Sequence, residues 1–182
     1  MSRIEIKQGS ALFLDRDGVL NSRIVDGYVT KPADFVLLPG VLEALALLGQ
    51  RFERIFVVTN QQGIGKGLMS EDDLKAIHDG FVRQVAAAGG HIDRIYHCPK
   101  LKSEHSFMRK PSVGMAVRAR HDFPDIKLSE SVMVGDMASD MLFGRRAGMT
   151  TVLVGSEAAE ARRVPHLVDY AYPSLLDFAQ SL

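Results

Sequence analysis

Ala11-Leu12-Phe13-Leu14 is a short apolar run that stops at Asp15-Arg16-Asp17-Gly18. A run of this kind fits a strand buried on both faces of a parallel sheet, and it predicts a strand over 11–14, extended upstream. Open α/β sheets gather their ligands outside the carboxyl ends of the strands. Alternate residues of an extended chain share a face, so Asp15 and Asp17 are expected to point the same way. Three further pieces follow in order. Thr59 ends the apolar run Ile55-Phe56-Val57-Val58, Lys110 precedes Pro111, and Asp136 and Asp140 follow Val132-Met133-Val134-Gly135.

Strands and helices alternate along the chain. Strands are predicted at 11–14, 54–59, 92–96, 131–135, 150–154 and 167–171. Helices are predicted over 39–48, opened by Pro39-Gly40, and over 70–88, 111–121, 138–147 and 173–180, with Ser70-x-x-Asp73 as a cap and Ser112 as a second capping candidate. Residues 18–39, 60–67 and 98–109 read as loops. Strands separated by helical segments argue for a parallel sheet covered on both faces. The 182 residues are expected to form one domain, 1–182.

Composition narrows the classes of function. Hydrophobic residues make up 46 %, which fits a globular core. Lys plus Arg equals Asp plus Glu at 22 each, so no overall charge favours nucleic acid or an anionic membrane. The single Cys98 excludes an internal disulfide framework and suits a reducing compartment. With no secretory leader and no spanning run, a cytoplasmic monomer is expected.

The strand-end residues together suit phosphate-ester chemistry. Phosphate monoesters hydrolyse very slowly in water, and covalent catalysis divides the step through an aspartyl-phosphate. Asp15 is the candidate nucleophile. Asp17 is the candidate acid, protonating the leaving oxygen and then activating water. A carboxylate and a phosphate repel, so a cation must neutralise both. Mg²⁺, which takes oxygen ligands, fits, with Asp15 and Asp136 as carboxylate ligands. Lys110 can reach Asp15 and the transferring group, and Thr59 can donate to phosphate oxygens. Asp140, one helical turn beyond Asp136, either holds a metal-bound water or anchors Lys110.

These residues resemble the motifs of the haloacid dehalogenase (HAD) superfamily: Asp15-x-Asp17, Thr59, Lys110, and Gly135-Asp136 with Asp140. The likeness spans about 13–155. Phe13 to Asn21, Gly27-Tyr28-Val29, Leu38 to Val41, Val58 to Gln61, Gly63 to Gly67, Arg109-Lys110-Pro111 and Gly114-Met115 look like its branch of heptose bisphosphate and histidinol-phosphate phosphatases. The resemblance implies a three-layer α/β/α Rossmann-like domain, without a cap domain because neither interval between motifs has room for one. It also implies a Mg²⁺-dependent phosphatase acting on a phosphorylated sugar or small metabolite, whose metal site includes the backbone carbonyl of Asp17. The expected reaction is removal of the C7 phosphate of D-glycero-D-manno-heptose 1,7-bisphosphate. Histidinol phosphate is the alternative substrate, and a non-catalytic phosphosugar-binding module the alternative class.

Substrate contacts are expected from Asn21, Tyr28, Asn60, Lys66 and Arg109. Lys66 reads either as a contact for a distal phosphate or as part of a glycine turn, and Arg109 either as a second-phosphate ligand or as a structural partner of an acidic group. The sequence departs from the branch in two places. The branch carries a zinc loop, but here only Cys98 stands at a zinc-ligand position, with Lys100, Ser106 and Met108 at the others, so structural zinc is not expected. Met137 stands where a Lys often follows the metal-binding Asp.

Overall fold

The computed structural model describes residues 4–155 and 163–182. Six strands form one parallel sheet: β1 (Ala11–Leu14), β2 (Arg54–Asn60), β3 (Arg94–Cys98), β4 (Val132–Gly135), β5 (Thr150–Val154) and β6 (Tyr170–Tyr172). Their spatial order is β3-β2-β1-β4-β5-β6. The chain therefore builds outward from β1 in one direction and then returns to build in the other. The reversal lies between β1 and β4, which pair through Leu12–Val132, Phe13–Met133 and Leu14–Val134. A crevice opens at such a reversal, beyond the carboxyl ends of the two strands.

The helices described are α1 (Val41–Gly49), α2 (Gln62–Gly65), α3 (Glu71–Ala87), α4 (Gly114–Asp122), α5 (Ala138–Arg146) and α6 (Leu175–Ser181). They pack in layers because every second strand residue faces the same side. Leu12, Leu14, Ile55 and Val57 share a core with Leu45 of α1, Phe81 of α3 and Phe178 of α6. Phe13, Phe56, Val58 and Met133 face the opposite way, onto Met115 and Ala119 of α4 and Phe143 of α5. The result is the three-layer α/β/α arrangement expected from the alternating pattern. Between β1 and α1, the chain holds loop and one 3₁₀ turn at Pro32–Asp34. No described helix is long and apolar enough to cross a membrane.

Several boundaries differ from the expectations. β1 does not extend upstream, because Ser10 closes a turn: its N–H donates to the Lys7 carbonyl and its hydroxyl accepts from the Lys7 N–H, each at 2.9 Å. β3 starts and ends two residues later than predicted, since its register carries His97 and Cys98 alongside Thr59 and Asn60. The glycine-rich stretch after β2 winds into α2, with the Lys66 N–H on the Gln62 carbonyl at 3.0 Å. Ser112 does not cap α4; its N–H closes a turn onto the Arg109 carbonyl at 2.8 Å, and the helix begins at Gly114. β6 begins after a 3₁₀ turn at Pro165–Leu167 that occupies the start of its predicted span. The Ser70–Asp73 capping box forms as read, with the Ser70 hydroxyl accepting from the Asp73 N–H at 3.1 Å.

Candidate active site

Asp15 continues β1 by one bond: its N–H donates to the Val134 carbonyl of β4 at 2.9 Å. It therefore stands at the crevice where the strand order reverses. Lys110 Nζ lies 2.7 Å from Asp15 Oδ1 and 2.6 Å from Asp140 Oδ1, and all three side chains are buried. Asn60 fixes the lysine's backbone from the end of β2. Its amide oxygen accepts from the Lys110 N–H at 3.0 Å, and its Nδ2 donates to the Lys110 carbonyl at 3.1 Å. Asp140 also accepts from the Met137 N–H at 3.1 Å, holding the first turn of α5 beside Asp136.

Two glycines make this approach possible. A Cβ on Gly18 would lie 2.1 Å from Asp136 Oδ2, and one on Gly135 would lie 2.2 Å from Asp140 Cβ. Gly18 also has φ +95°, a conformation that side chains disfavour. The loop after β1 can thus close onto Asp136 only with glycine at 18.

Asp17 is held in one orientation from both sides. Its Oδ1 accepts from Arg16 Nη2 and Asn21 Nδ2, each at 2.9 Å, and its Oδ2 accepts from Gln61 Nε2 at 2.9 Å. Gln61 Nε2 also donates to Thr59 Oγ1 at 2.8 Å, tying the end of β2 to Asp17. Behind this set, the buried Arg16 guanidinium contacts His78 Nε2 of α3 at 3.3 Å.

Charge and burial set the proton affinities. Burial, and then the neighbouring Asp140 charge, pushes Asp15 up to about 7, although Lys110 opposes the shift. The same two causes push Asp136 up to about 6. Burial disfavours the Asp17 carboxylate as well, but the Arg16 charge and three side-chain hydrogen bonds outweigh it and hold Asp17 below its ordinary value. Burial also opposes the Lys110 charge, yet Asp140 and Asp15 overcome it and raise the lysine.

Asp15, Asp136 and Asp140 each bring a carboxylate oxygen within 4.8 Å of the others. The Asp17 carbonyl joins them through a single atom: Arg23 Nη2 donates to it at 2.7 Å and to both Asp136 oxygens at 2.9 Å. These oxygens already surround a cationic group, and an all-oxygen donor set with several carboxylates suits Mg²⁺. The residues present therefore fit the expected ion, which Asp15, Asp136 and the Asp17 carbonyl would hold.

Above the carboxylates lies a cavity of about 620 Å³. Asp15, Asp17, Thr59 and Lys110 line it, together with Tyr28, Asn60, Lys66 and Arg109. The Tyr28 hydroxyl accepts from Gln62 Nε2 at 2.8 Å, and Lys66 Nζ sits 5.1 Å from the Tyr28 ring centroid. Arg109 donates to the Lys100 carbonyl at 3.2 Å. Asn21, expected at the substrate, is instead fully buried behind Asp17, and the Asn60 amide is spent on the Lys110 backbone. Met137 is 41 % exposed and lines the cavity. Cys98 is buried at the end of β3, while His97 contacts Glu71 Oε2 at 2.8 Å. Sequence reasoning assigned nothing to Arg23, Gln61 or His78. The one signal for Arg23 is its place as a basic residue between Asn21 and Tyr28, both expected at the substrate.

The HAD-hydrolase-like family model matches residues 107–178. The D-glycero-alpha-D-manno-heptose-1,7-bisphosphate 7-phosphatase of Burkholderia mallei is 43 % identical over 152 residues, covering 79 % of this chain and 78 % of its own length. The beta-anomer 7-phosphatase of Vibrio cholerae is 40 % identical, covering 79 % and 80 %. The crystal structure of D,D-heptose 1,7-bisphosphate phosphatase from B. bronchiseptica, complexed with magnesium and phosphate, superposes with a TM-score of 0.86 at 32 % identity. It covers 94 % of this chain and 96 % of that one. On this fold, site and likeness, the chain belongs to the HAD phosphatases, in the group of the D-glycero-D-manno-heptose-1,7-bisphosphate 7-phosphatases.

Proposed function

We propose that this chain hydrolyses the 7-phosphate of D-glycero-D-manno-heptose 1,7-bisphosphate in a Mg²⁺-dependent reaction. The observation that carries the reading is Lys110 held between Asp15 and Asp140 beside Asp136, at the crevice below the cavity. Relatives named for that reaction, at 36–43 % identity, support the substrate.

Asp15 is the nucleophile. Its contacts with Lys110 and the Arg16 N–H both fall on Oδ1, which leaves Oδ2 to attack phosphorus. As the Asp15–phosphorus bond forms, the bond from phosphorus to the sugar oxygen breaks, and Asp17, ionised in the free chain and protonated once the negative charge of the substrate is bound beside it, gives that oxygen a proton. Asp17 then takes a proton from water, whose oxygen attacks the aspartyl-phosphate and releases inorganic phosphate, restoring the Asp15 carboxylate. Bound Mg²⁺ supplies charge neutralisation between carboxylate and phosphate. Lys110 keeps a fixed positive charge at Asp15, and Thr59 with the amides after β2 donates to the phosphate oxygens.

Tyr28, Lys66 and Arg109 form the rim that meets the remainder of the substrate, whereas Asn21 and Asn60 position Asp17 and Lys110. The chain works as one domain, a monomer in the cytoplasm.

Phosphate release with Mg²⁺ tests the reading, measured on both anomers of the heptose bisphosphate, on histidinol phosphate and on several sugar monophosphates. A kcat/KM for one heptose anomer far above the rest of the panel is expected. Even, weak turnover across the panel contradicts the substrate, and faster turnover of histidinol phosphate reassigns it.

A further inference from the structure

Arg23 stands where the cation belongs. A single nitrogen, Nη2, is in contact with the Asp17 carbonyl and both oxygens of Asp136. Two of the three groups expected to hold Mg²⁺ are thereby in use. A guanidinium and a divalent ion cannot share these oxygens, because each needs the same lone pairs and the two cations repel at such a distance.

The arginine is built to leave. Its side chain is 43 % exposed, against 15 % for its partner Asp136. It belongs to the loop from 22 to 28, whose base is pinned where the Ser22 N–H donates to the Val36 carbonyl at 2.8 Å. Residues 22–26 are all exposed, Val25 at 83 %, so Arg23 can withdraw without carrying a core residue with it.

We propose that Arg23 is an internal competitor for the metal site: it holds the Asp17 carbonyl and Asp136 until a divalent cation displaces it, and its release frees the 22–28 loop that lines the substrate cavity. Arg23 then sets the Mg²⁺ concentration at which the site fills, and couples filling to the motion of the loop. The proposal rests on the Mg²⁺-dependent reading above.

Two measurements on the full chain, made without substrate, decide it. The first is calorimetric titration of Mg²⁺ into the wild type and Arg23→Ala, with thermal unfolding of both to confirm that they fold. The variant is expected to bind Mg²⁺ about fivefold more tightly, the factor that corresponds to an exposed ion pair of about 1 kcal/mol. The second places a nitroxide at Val25→Cys, selective because Cys98 is buried. Mg²⁺ is expected to mobilise the label when Arg23 is present. With Arg23→Ala the label is expected to be mobile already and insensitive to Mg²⁺.

Equal affinity in the two proteins overturns the competition. Tighter binding with a label that never responds also overturns it, since the arginine would then act only as a distant charge. If neither protein binds Mg²⁺, the metal-dependent function fails together with the proposal. Mg²⁺ binding with unequal affinities but no heptose turnover leaves the proposal standing and removes only the substrate.

Discussion

Lys110 is the residue on which the buried charges depend. It is in contact with two carboxylates, Asp15 and Asp140, and all three are withdrawn from water. Removing one partner of such a set leaves uncompensated buried charge, at a cost of about 3–5 kcal/mol. Lys110→Met is therefore expected to lose stability by that amount and to lower kcat by about 10²–10³-fold. Adding Asp140→Asn removes one orphaned charge, so the double variant should regain stability in urea unfolding without regaining rate. A double variant no more stable than Lys110→Met would contradict the pairing. Asp15, Asp17, Lys110 and Asp136 were legible because each sits at the end of a recognisable apolar run or beside a proline. Arg23 was not, because its partner Asp136 lies 113 residues away and no local pattern links them. Asn21 and Asn60 were legible as site residues but not in their parts. A sequence does not say whether a polar side chain near a cavity turns toward it or is used up by the backbone behind it.

Among the elements, α3 joins the sheet to the site through one buried imidazole. Its start was readable from Ser70-x-x-Asp73, since capping is a local event, and its apolar face carries Leu74, Ile77, Phe81 and Val85 into the core. His78 lies on the same helix, reads as an ordinary surface histidine in sequence, and is instead buried against Arg16. Burial, and then the Arg16 charge, pushes His78 down to about 3 from 6.5. Between those values the unfolded chain binds a proton that the folded chain excludes. Stability from this group is present above pH 6.5 and falls as the pH drops toward 3, by at most about 1.4 kcal/mol per pH unit. His78→Gln keeps an oxygen for Arg16 and does not titrate, so its stability between pH 6 and 4.5 should fall about one proton less steeply than the wild type (a window set by the 6.5 and about 3 above). Identical slopes in chemical unfolding across that window would contradict the neutral, buried imidazole. The elements least legible were α2 and β6. The glycines around α2 signal a loop, and β6 is three residues whose pairing with β5, not their own composition, makes them a strand.

For the molecule as a whole, alternating strands and helices announced a parallel sheet, but not the order β3-β2-β1-β4-β5-β6. Periodicity reports which face of an element is apolar; it does not report which neighbour covers that face. The order nevertheless determines the chemistry. With β1 beside both β2 and β4, the ends of three strands deliver Asp15, Thr59 and Asp136 to one crevice, and Lys110 reaches it from the turn ahead of α4. The roof of the cavity is made of residues 23–29, Gln62 of α2, Lys66 and Arg109. The phosphoryl group is expected to pass through Asp15. The direct measurement is a single turnover of heptose bisphosphate labelled at the 7-phosphate, quenched in acid, with peptide mapping of the wild type and Asp15→Asn. The label should be found on the peptide containing Asp15 in the wild type, and Asp15→Asn should carry none and release no phosphate. Label on any other residue, or near-normal turnover by Asp15→Asn, would contradict it.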